Sequence, residues 1–253
     1  MFESKDPHIE YSLEGKVLHI KINRPEKKNA LTPGMYKALG DGIRIADESD
    51  LINVILIRGI DDCFTSGNDV SGFSASNQTN EERPSVHFMN ALNDARKPLV
   101  AAVSGLAIGI GTTLLFHCDL VYASESCFLQ LPFTRLGLCP EAGSSYLLPK
   151  QIGYQRSAEL MLLGDRFTSS KAKELGIVTE VLPQEDYLSF TIEKANELSN
   201  LPAQAVQTSK ALLKRGQNQQ VSETIEVELV EFGNLLQSDE AQAIVQAFLN
   251  KKK

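Results

Sequence analysis

The sequence predicts an α/β fold closed by a purely helical C-terminal region. Two observations carry this expectation. Over residues 1–185, short apolar or alternating strand segments are interleaved with stretches of helical periodicity. From Asp186 onward the strand signals stop and only helical stretches follow. No exact repeat is present, but the strand–helix spacing is itself a weak structural periodicity.

The elements follow in order. IEYSL and KVLHIKI, within Ile9–Ile22, alternate apolar and polar residues around a Glu14-Gly15 turn, which predicts a hairpin ended by Asn23-Arg24-Pro25. Thr32 as N-cap and Pro33 at the first helical position start a helix with Met35, Leu39, Ile43 and Ala46 on one face, running to Asp47. VILIRG, Val54–Gly59, is a continuous apolar run of the kind a buried strand needs. Phe64–Phe73 (FTSGNDVSGF) follows a polar turn, and Asn77–Pro84 is a polar surface loop that either covers a pocket or is merely solvated. Helical periodicity resumes over His87–Asp94. Pro98–Val103 is a second buried strand, and GLAIGIG, Gly105–Gly111, leads into the helical TTLLFHC. Leu120–Tyr122 and Cys127–Gln130 read as short strands, and CPEAGSSYLLPK as a turn and helix from Cys139. SAELMLLG is a helix closed by Gly164; Thr168 caps SSKAKEL, Gly176 stops it, and IVTEVLP is a strand. Three helical stretches are expected after Asp186, separated by Leu201-Pro202 and by Gln217–Gln220.

Composition excludes several classes. The 253 residues are 42% hydrophobic and 23% charged, as in ordinary globular proteins. A net charge of -7 disfavours nucleic acid as a partner, although a local basic cluster can still meet a small polyanion. No run approaches the roughly 20 apolar residues of a membrane span. Cys63, Cys118, Cys127 and Cys139 lack paired CxxC spacing, and with only four histidines no metal pattern emerges. The expectation is reduced thiols and no metal or redox cofactor. Met1–Tyr11 lacks the character of a leader, and Lys251, Lys252 and Lys253 do not form a Ser-Lys-Leu-type address, so a cytoplasmic location is expected, with a peroxisomal one open to a missing tag.

Two loops could present backbone N–H groups to an anion. GLAIGIG lies between a buried strand and a helix start, where glycines permit close approach. It lacks the GxGxxG and Gly-Lys-Ser/Thr patterns of nucleotide loops, so it is either a tight helix–strand junction or a different anion site. Ser66-Gly67-Asn68-Asp69-Val70 is, taken alone, a surface turn with an Asx cap. Both loops follow buried strands, and two N–H groups aimed at one point make an oxyanion hole.

With these residues the chain resembles the enoyl-CoA hydratase/isomerase family, the crotonase superfamily. The matching segments are NRPEKKNALT, FTSGNDV, KPLVAAVSGLAIGIGTTLLFHCDLVYAS, LPFTRLGLCPEAGSSYLLPKQIG and ELMLLGDRFTSSKAKELGIVTEVLP, in the family's order from Val17 to Pro183. The resemblance implies a crotonase-like spiral of ββα units over residues 1–185, forming a CoA-thioester-binding catalytic domain, and a helical trimerisation region over residues 186–253. It implies an acyl-CoA thioester as substrate, no separate cofactor, and a homotrimer or hexamer. The apolar group Leu229, Phe232, Leu235 and Leu236 is a further motive for assembly.

The oxyanion N–H groups would be those of Asn68 and Ile110, the latter standing where relatives usually have glycine. The two glutamates of the hydratase type are missing: Thr113 and Phe133 occupy their positions. Glu141, in Pro140-Glu141-Ala142-Gly143, matches the base of the peroxisomal type of Δ3,Δ2-enoyl-CoA isomerase, with Ala142 in place of a glycine. An unrelated Pro-Glu pair would be a helix-start glutamate favoured by the macrodipole. The resemblance therefore implies isomerisation by a single glutamate.

Other candidates have two readings each. Lys27 and Lys28 approach CoA phosphates or solvate a turn. Ser66, Gly67, Asp69, Val70, Gly109 and Gly111 shape the substrate loops, with Asp69 capping a turn. Phe133, Leu138 and Tyr146 line an acyl pocket or belong to the core. His117 is expected to be a packed helix residue.

Overall fold

The computed structural model describes residues 2–69 and 83–250. Val70, the Asn77–Pro84 loop up to residue 82, and Lys251, Lys252 and Lys253 lie outside the described residues.

Strands β1 (Ile9–Glu14) and β2 (Val17–Ile22) form the expected hairpin. Glu14 pairs with Val17, so the two-residue loop is Gly15-Lys16, one position later than the sequence suggested. Gly15 supplies the positive φ (58°) that such a turn requires. Helix α1 (Pro33–Glu48) begins as predicted, with the Thr32 side chain accepting from Met35 N–H. Then follow β3 (Val54–Arg58), β4 (Cys63–Thr65), α2 (Pro84–Asp94), β5 (Leu99–Val103), β6 (Leu106–Ile108), α3 (Ile110–Thr113), β7 (Leu120–Ser124), β8 (Phe128–Gln130) and α4 (Ser144–Ile152). The chain continues through α5 (Tyr154–Ala158), which widens into a π turn over Glu159–Leu163, then β9 (Arg166–Thr168), α6 (Ser169–Glu174) and β10 (Glu180–Leu182).

The strands sort into two sheets, ordered β1-β2-β3-β5-β7-β10 and β4-β6-β8-β9. Among the named strands of the described residues, only β1–β2 and β8–β9 pair antiparallel. Successive strand pairs β3/β4, β5/β6 and β7/β8 each send their first strand to the large sheet and their second to the small one, followed by a helix. This ββα unit is the repeat that the sequence shows only as spacing. A strand, β6, lies inside the glycine loop, where three residues between glycines gave no alternation to read. Its existence depends on pairing with β4 and β8.

The inner strands β3, β5 and β7 of the large sheet are buried on both faces, which is why they are largely apolar, whereas β1 at the edge keeps its alternation of apolar and polar residues. On one face Ile20, Ile55, Ile57, Ala101 and Val121 belong to the main core, which also takes in the buried residues of α1 and α2. On the other, Val17, Val54, Leu56, Val100 and Tyr122 pack with Tyr187 and Ala195 of α7 (Tyr187–Ser199). The remaining helices are α8 (Ala203–Leu213), α9 (Asn218–Leu236) and α10 (Asp239–Asn250). Among the described residues the C-terminal region thus has four helices rather than the three expected: α9 starts inside the Gln217–Gln220 interruption, and α10 starts after Ser238, whose hydroxyl accepts from Ala241 N–H. No helix among the described residues is long and apolar enough to cross a membrane.

Candidate active site

Parallel pairing of β4 with β6 sets Cys63 beside Leu106 and Thr65 beside Ala107. Both strands run the same way, so the loops that follow, Ser66–Asp69 and Gly109–Ile110, leave the same edge of the small sheet. They pack without clearance: a Cβ on Gly67 (φ 89°) would lie 2.8 Å from Ile108 O, and one on Gly111 would lie 2.6 Å from Thr65 Cγ2. Gly67 is therefore required twice, for its conformation and for the close approach.

The backbone N–H groups of interest end these strands. Leu31 N–H donates to Gly67 O (2.8 Å) and Asp69 N–H to Leu31 O (3.0 Å), which leaves Asn68 N–H outside that pairing. Ile110 opens α3 directly after Gly109 (φ 58°), so its N–H belongs to the first helical turn, whose donors have no intrahelical acceptor. Ile110 needs no positive φ, and its side chain is fully buried in the core. The isoleucine is therefore accommodated by packing, while Gly109 takes the turn.

Residues that the sequence did not single out hold this region. Asn29 is fully buried with φ 54° and donates through Nδ2 to the carbonyls of Ile22, Cys63 and Phe64, while its Oδ1 accepts from Arg24 N–H. Arg24 in turn donates to Ala30 O (2.9 Å) and to the Asp69 carboxylate (2.7 Å). Asp69 thus joins two loops through an ion pair with Arg24. Lys27 and Lys28 are exposed on the neighbouring turn, and Lys28 O accepts from Ser66 N–H (3.0 Å). Phe133 and Leu138 are buried members of the main core.

Glu141 is 6% exposed, and its Oε1 has no hydrogen-bond partner among the described residues. Burial, then the negative charge of Glu228, push its carboxyl up to about 8, while hydrogen bonding from the Asn68 side chain pulls the other way. Asn68 therefore has two parts in the site: its backbone faces away from the Leu31 bridge, and its side chain supports Glu141. Its Oδ1 accepts from the hydroxyl of Tyr36, a buried α1 residue.

The segment after Glu141 is unusual. Ala142 (φ 63°) and Gly143 (φ 69°) are both left-handed, a conformation that costs an alanine roughly 1–2 kcal/mol. His117 Nε2 lies 2.7 Å from Ala142 O, and Glu228 of α9 accepts from Gly143 N–H (2.6 Å), Ser145 N–H (2.9 Å) and Ser145 Oγ (2.6 Å). His117 is the packed residue expected, but it lies in a 3-10 turn, Leu114–His117, and has a definite task at this segment.

Thr113 is fully buried, its Oγ1 within 3.5 Å of Ile110 O. Two clefts among the described residues, of about 320 and 300 Å³, involve Cys118 and Lys150 in one and Tyr11 and Asp41 in the other. Neither contains Glu141. The Cys118 thiol is pushed up to about 12 by burial, so the larger cleft offers no reactive thiolate.

The enoyl-CoA hydratase/isomerase family profile matches residues 12–253. The chain belongs to that family. A crotonase-family crystal structure, the enoyl-CoA hydratase/isomerase of Pseudoalteromonas atlantica T6c, superposes with a TM-score of 0.92 at 36% identity, covering 96% of this chain and 97% of that one. The crotonase spiral of ββα units is thus shared over nearly the whole length. Among curated relatives, enoyl-CoA delta isomerase 2 of Rattus norvegicus is 33% identical over 245 residues, 94% of this chain. The chain spans 62% of that isomerase's length. The 2,3-dehydroadipyl-CoA hydratase of Escherichia coli (strain K12) is 28% identical over 244 residues, with 95% of both chains covered. Crotonase relatives of both reaction types are therefore similar to this chain.

Proposed function

We propose that this crotonase-family chain is a Δ3,Δ2-enoyl-CoA isomerase that moves the double bond of an unsaturated fatty acyl-CoA from C3 to C2. One observation carries the choice over hydration. Glu141 is buried with one carboxylate oxygen unpaired among the described residues, whereas the neighbouring carboxylate, Glu228, spends both of its oxygens on the turn. A hydratase of the usual type needs two carboxylates to position and activate water. Thr113 and Phe133 supply none.

In the proposed reaction, ionised Glu141 removes a C2 proton from the 3-enoyl thioester. The electron pair moves onto the thioester oxygen, which accepts hydrogen bonds from Asn68 N–H and Ile110 N–H. The carboxyl group then returns the proton to C4, the double bond forms between C2 and C3, and the thioester carbonyl is restored. One carboxyl group serves both carbons because C2 and C4 lie on one face of a planar dienolate. Each oxyanion donor would account for about 100- to 1,000-fold in turnover. The apolar surroundings that raise the Glu141 carboxyl make it a stronger base once ionised. Lys27 and Lys28 meet the CoA phosphates, and Phe133 and Leu138 bound the acyl chain. No separate cofactor takes part. The wider setting proposed is fatty acid β-oxidation in the cytoplasm, by a homotrimer or a pair of trimers.

Hydration is the second reading, favoured by the similarity to the Escherichia coli hydratase, and a non-catalytic acyl-CoA-binding protein is the third. Mass analysis of the product from a 3-enoyl-CoA separates them. An isomer keeps the substrate mass, a hydrated product gains one water, and a binding protein returns the substrate unchanged.

A further inference from the structure

We propose that Glu228 is a positioning residue for Glu141, holding the Glu141–Ser145 turn from α9 and acting on the base through its hydrogen bonds and its fixed negative charge. The proposal rests on the reading of Glu141 as the base. Its geometry does not.

Helix α9 turns Val221, Ile225 and Glu228 inward, at the i, i+4, i+7 spacing of one helical face. Val221 occupies the space beside Gly143, where a Cβ would lie 2.8 Å from Val221 Cγ1. Gly143 is the N-cap of α4 and has no side chain to satisfy the first-turn donors. Glu228 supplies the missing cap from 85 residues along the chain, taking Gly143 N–H on Oε2 and both Ser145 donors on Oε1. All three partners are donors, the pattern that suits an ionised, acceptor-only carboxylate. The positive end of the nine-residue α4 favours the same state. Burial raises the Glu228 carboxyl above its ordinary value, and the three donors offset part of that rise.

The turn that Glu228 holds is the one that aims Glu141. With Ala142 and Gly143 both left-handed, release of their N–H and C=O anchors would let the segment relax and move the carboxylate. The titratable groups that face Glu141 are Tyr36 of α1, Cys139 of its own segment and Glu228 of α9, with the Asn68 amide beside them. Burial keeps the Tyr36 hydroxyl and the Cys139 thiol above their ordinary ranges, hence neutral at neutral pH. Glu228 is therefore the charge that Glu141 feels among the described residues, and its removal stabilises the ionised base.

The test uses full-length protein labelled with carboxyl-13C glutamate, the Glu141 signal being assigned by its loss in Glu141→Gln. In Glu228→Gln the Glu141 midpoint falls below its native value. The acid limb of kcat moves to lower pH in parallel, and plateau kcat falls about tenfold or more with KM changed far less. Glu228→Asp keeps the charge and shortens the reach, so kcat falls while the Glu141 midpoint stays near native. An unmoved Glu141 midpoint in Glu228→Gln, or lost stability with an unmoved pH profile, overturns the proposal. Native-like turnover by Glu141→Gln alongside a shifted midpoint in Glu228→Gln overturns the reading of the base while upholding the coupling of the two carboxylates.

Discussion

His117 Nε2 lies 2.7 Å from the carbonyl oxygen of Ala142, the residue that follows Glu141. A carbonyl can only accept, so Nε2 carries the proton. Burial lowers the imidazole to about 4, which keeps the ring neutral across the physiological range. His117→Leu leaves this buried carbonyl unpaired. The expected cost is about 1–3 kcal/mol in urea unfolding, with turnover reduced about tenfold or more as the Glu141 turn loosens. Native turnover in a folded His117→Leu protein would remove the histidine from this account.

The Asn68 side chain supports Glu141, and its backbone N–H is the proposed oxyanion donor. The amide hydrogen-bonds the Glu141 carboxylate and so lowers its proton affinity. Asn68→Ala removes that bond and leaves the backbone N–H in place. The Glu141 carboxyl then rises further, and the acid limb of kcat/KM moves to higher pH. Turnover at neutral pH falls about tenfold or more, within the range for a mis-set general base. A pH profile that moves the other way, or not at all, contradicts the role of the side chain.

Much of the scaffold was legible because its signals are local. The Thr32 and Thr168 caps, the Gly164 and Gly176 stops and the doubly buried strands each follow from a few adjacent residues, and each stands where expected. Strands β6 and β9 are three residues long and exist through their partners, so no window of sequence displays them. Glu141 was singled out only through the family resemblance, where its turn matches and the hydratase carboxylates are missing; the structure adds that it is buried. Its supports were not legible: His117, Tyr36, Asn29 and Glu228 are bound to it or to its loops across long stretches of chain, and nothing in their own neighbourhoods marks them. The apolar group expected to drive assembly was read too broadly. Leu229, Phe232 and Leu236 pack partly buried against this chain's own core, whereas the exposed apolar residues of α9 are Val227, Val230 and Leu235.

Those exposed residues, with Leu163 at 56% and Leu213 at 87% exposure, still give the proposed trimer an apolar surface to bury. Light scattering at micromolar concentration is expected to give three or six times the chain mass. A Leu213→Glu variant tests whether this surface takes part, and an unchanged oligomer would place the interface elsewhere.

Glu141 also sets a pH dependence of stability. Its carboxyl is raised from an ordinary 4.5 to about 8, so between those values the unfolded chain is ionised and the folded one is not. The unfolded state then binds fewer protons, and this group's contribution to stability falls as pH rises through that window. Glu141→Gln removes the effect. The variant should melt higher than the native protein at pH 8.5 and lose that advantage near pH 5. Parallel melting temperatures at both pH values would mean that the carboxyl is not raised.

The central claim is that Glu141 alone moves the proton. The most direct measurement follows a 3-enoyl-CoA in deuterated buffer with native protein and with Glu141→Gln, scoring double-bond position and C2 deuterium together. The account predicts a trans-2-enoyl-CoA with no added water from the native protein, and loss of both isomerisation and C2 exchange by at least about 100-fold in the variant. Near-native isomerisation or exchange by Glu141→Gln, or a hydrated product from the native protein, would contradict it.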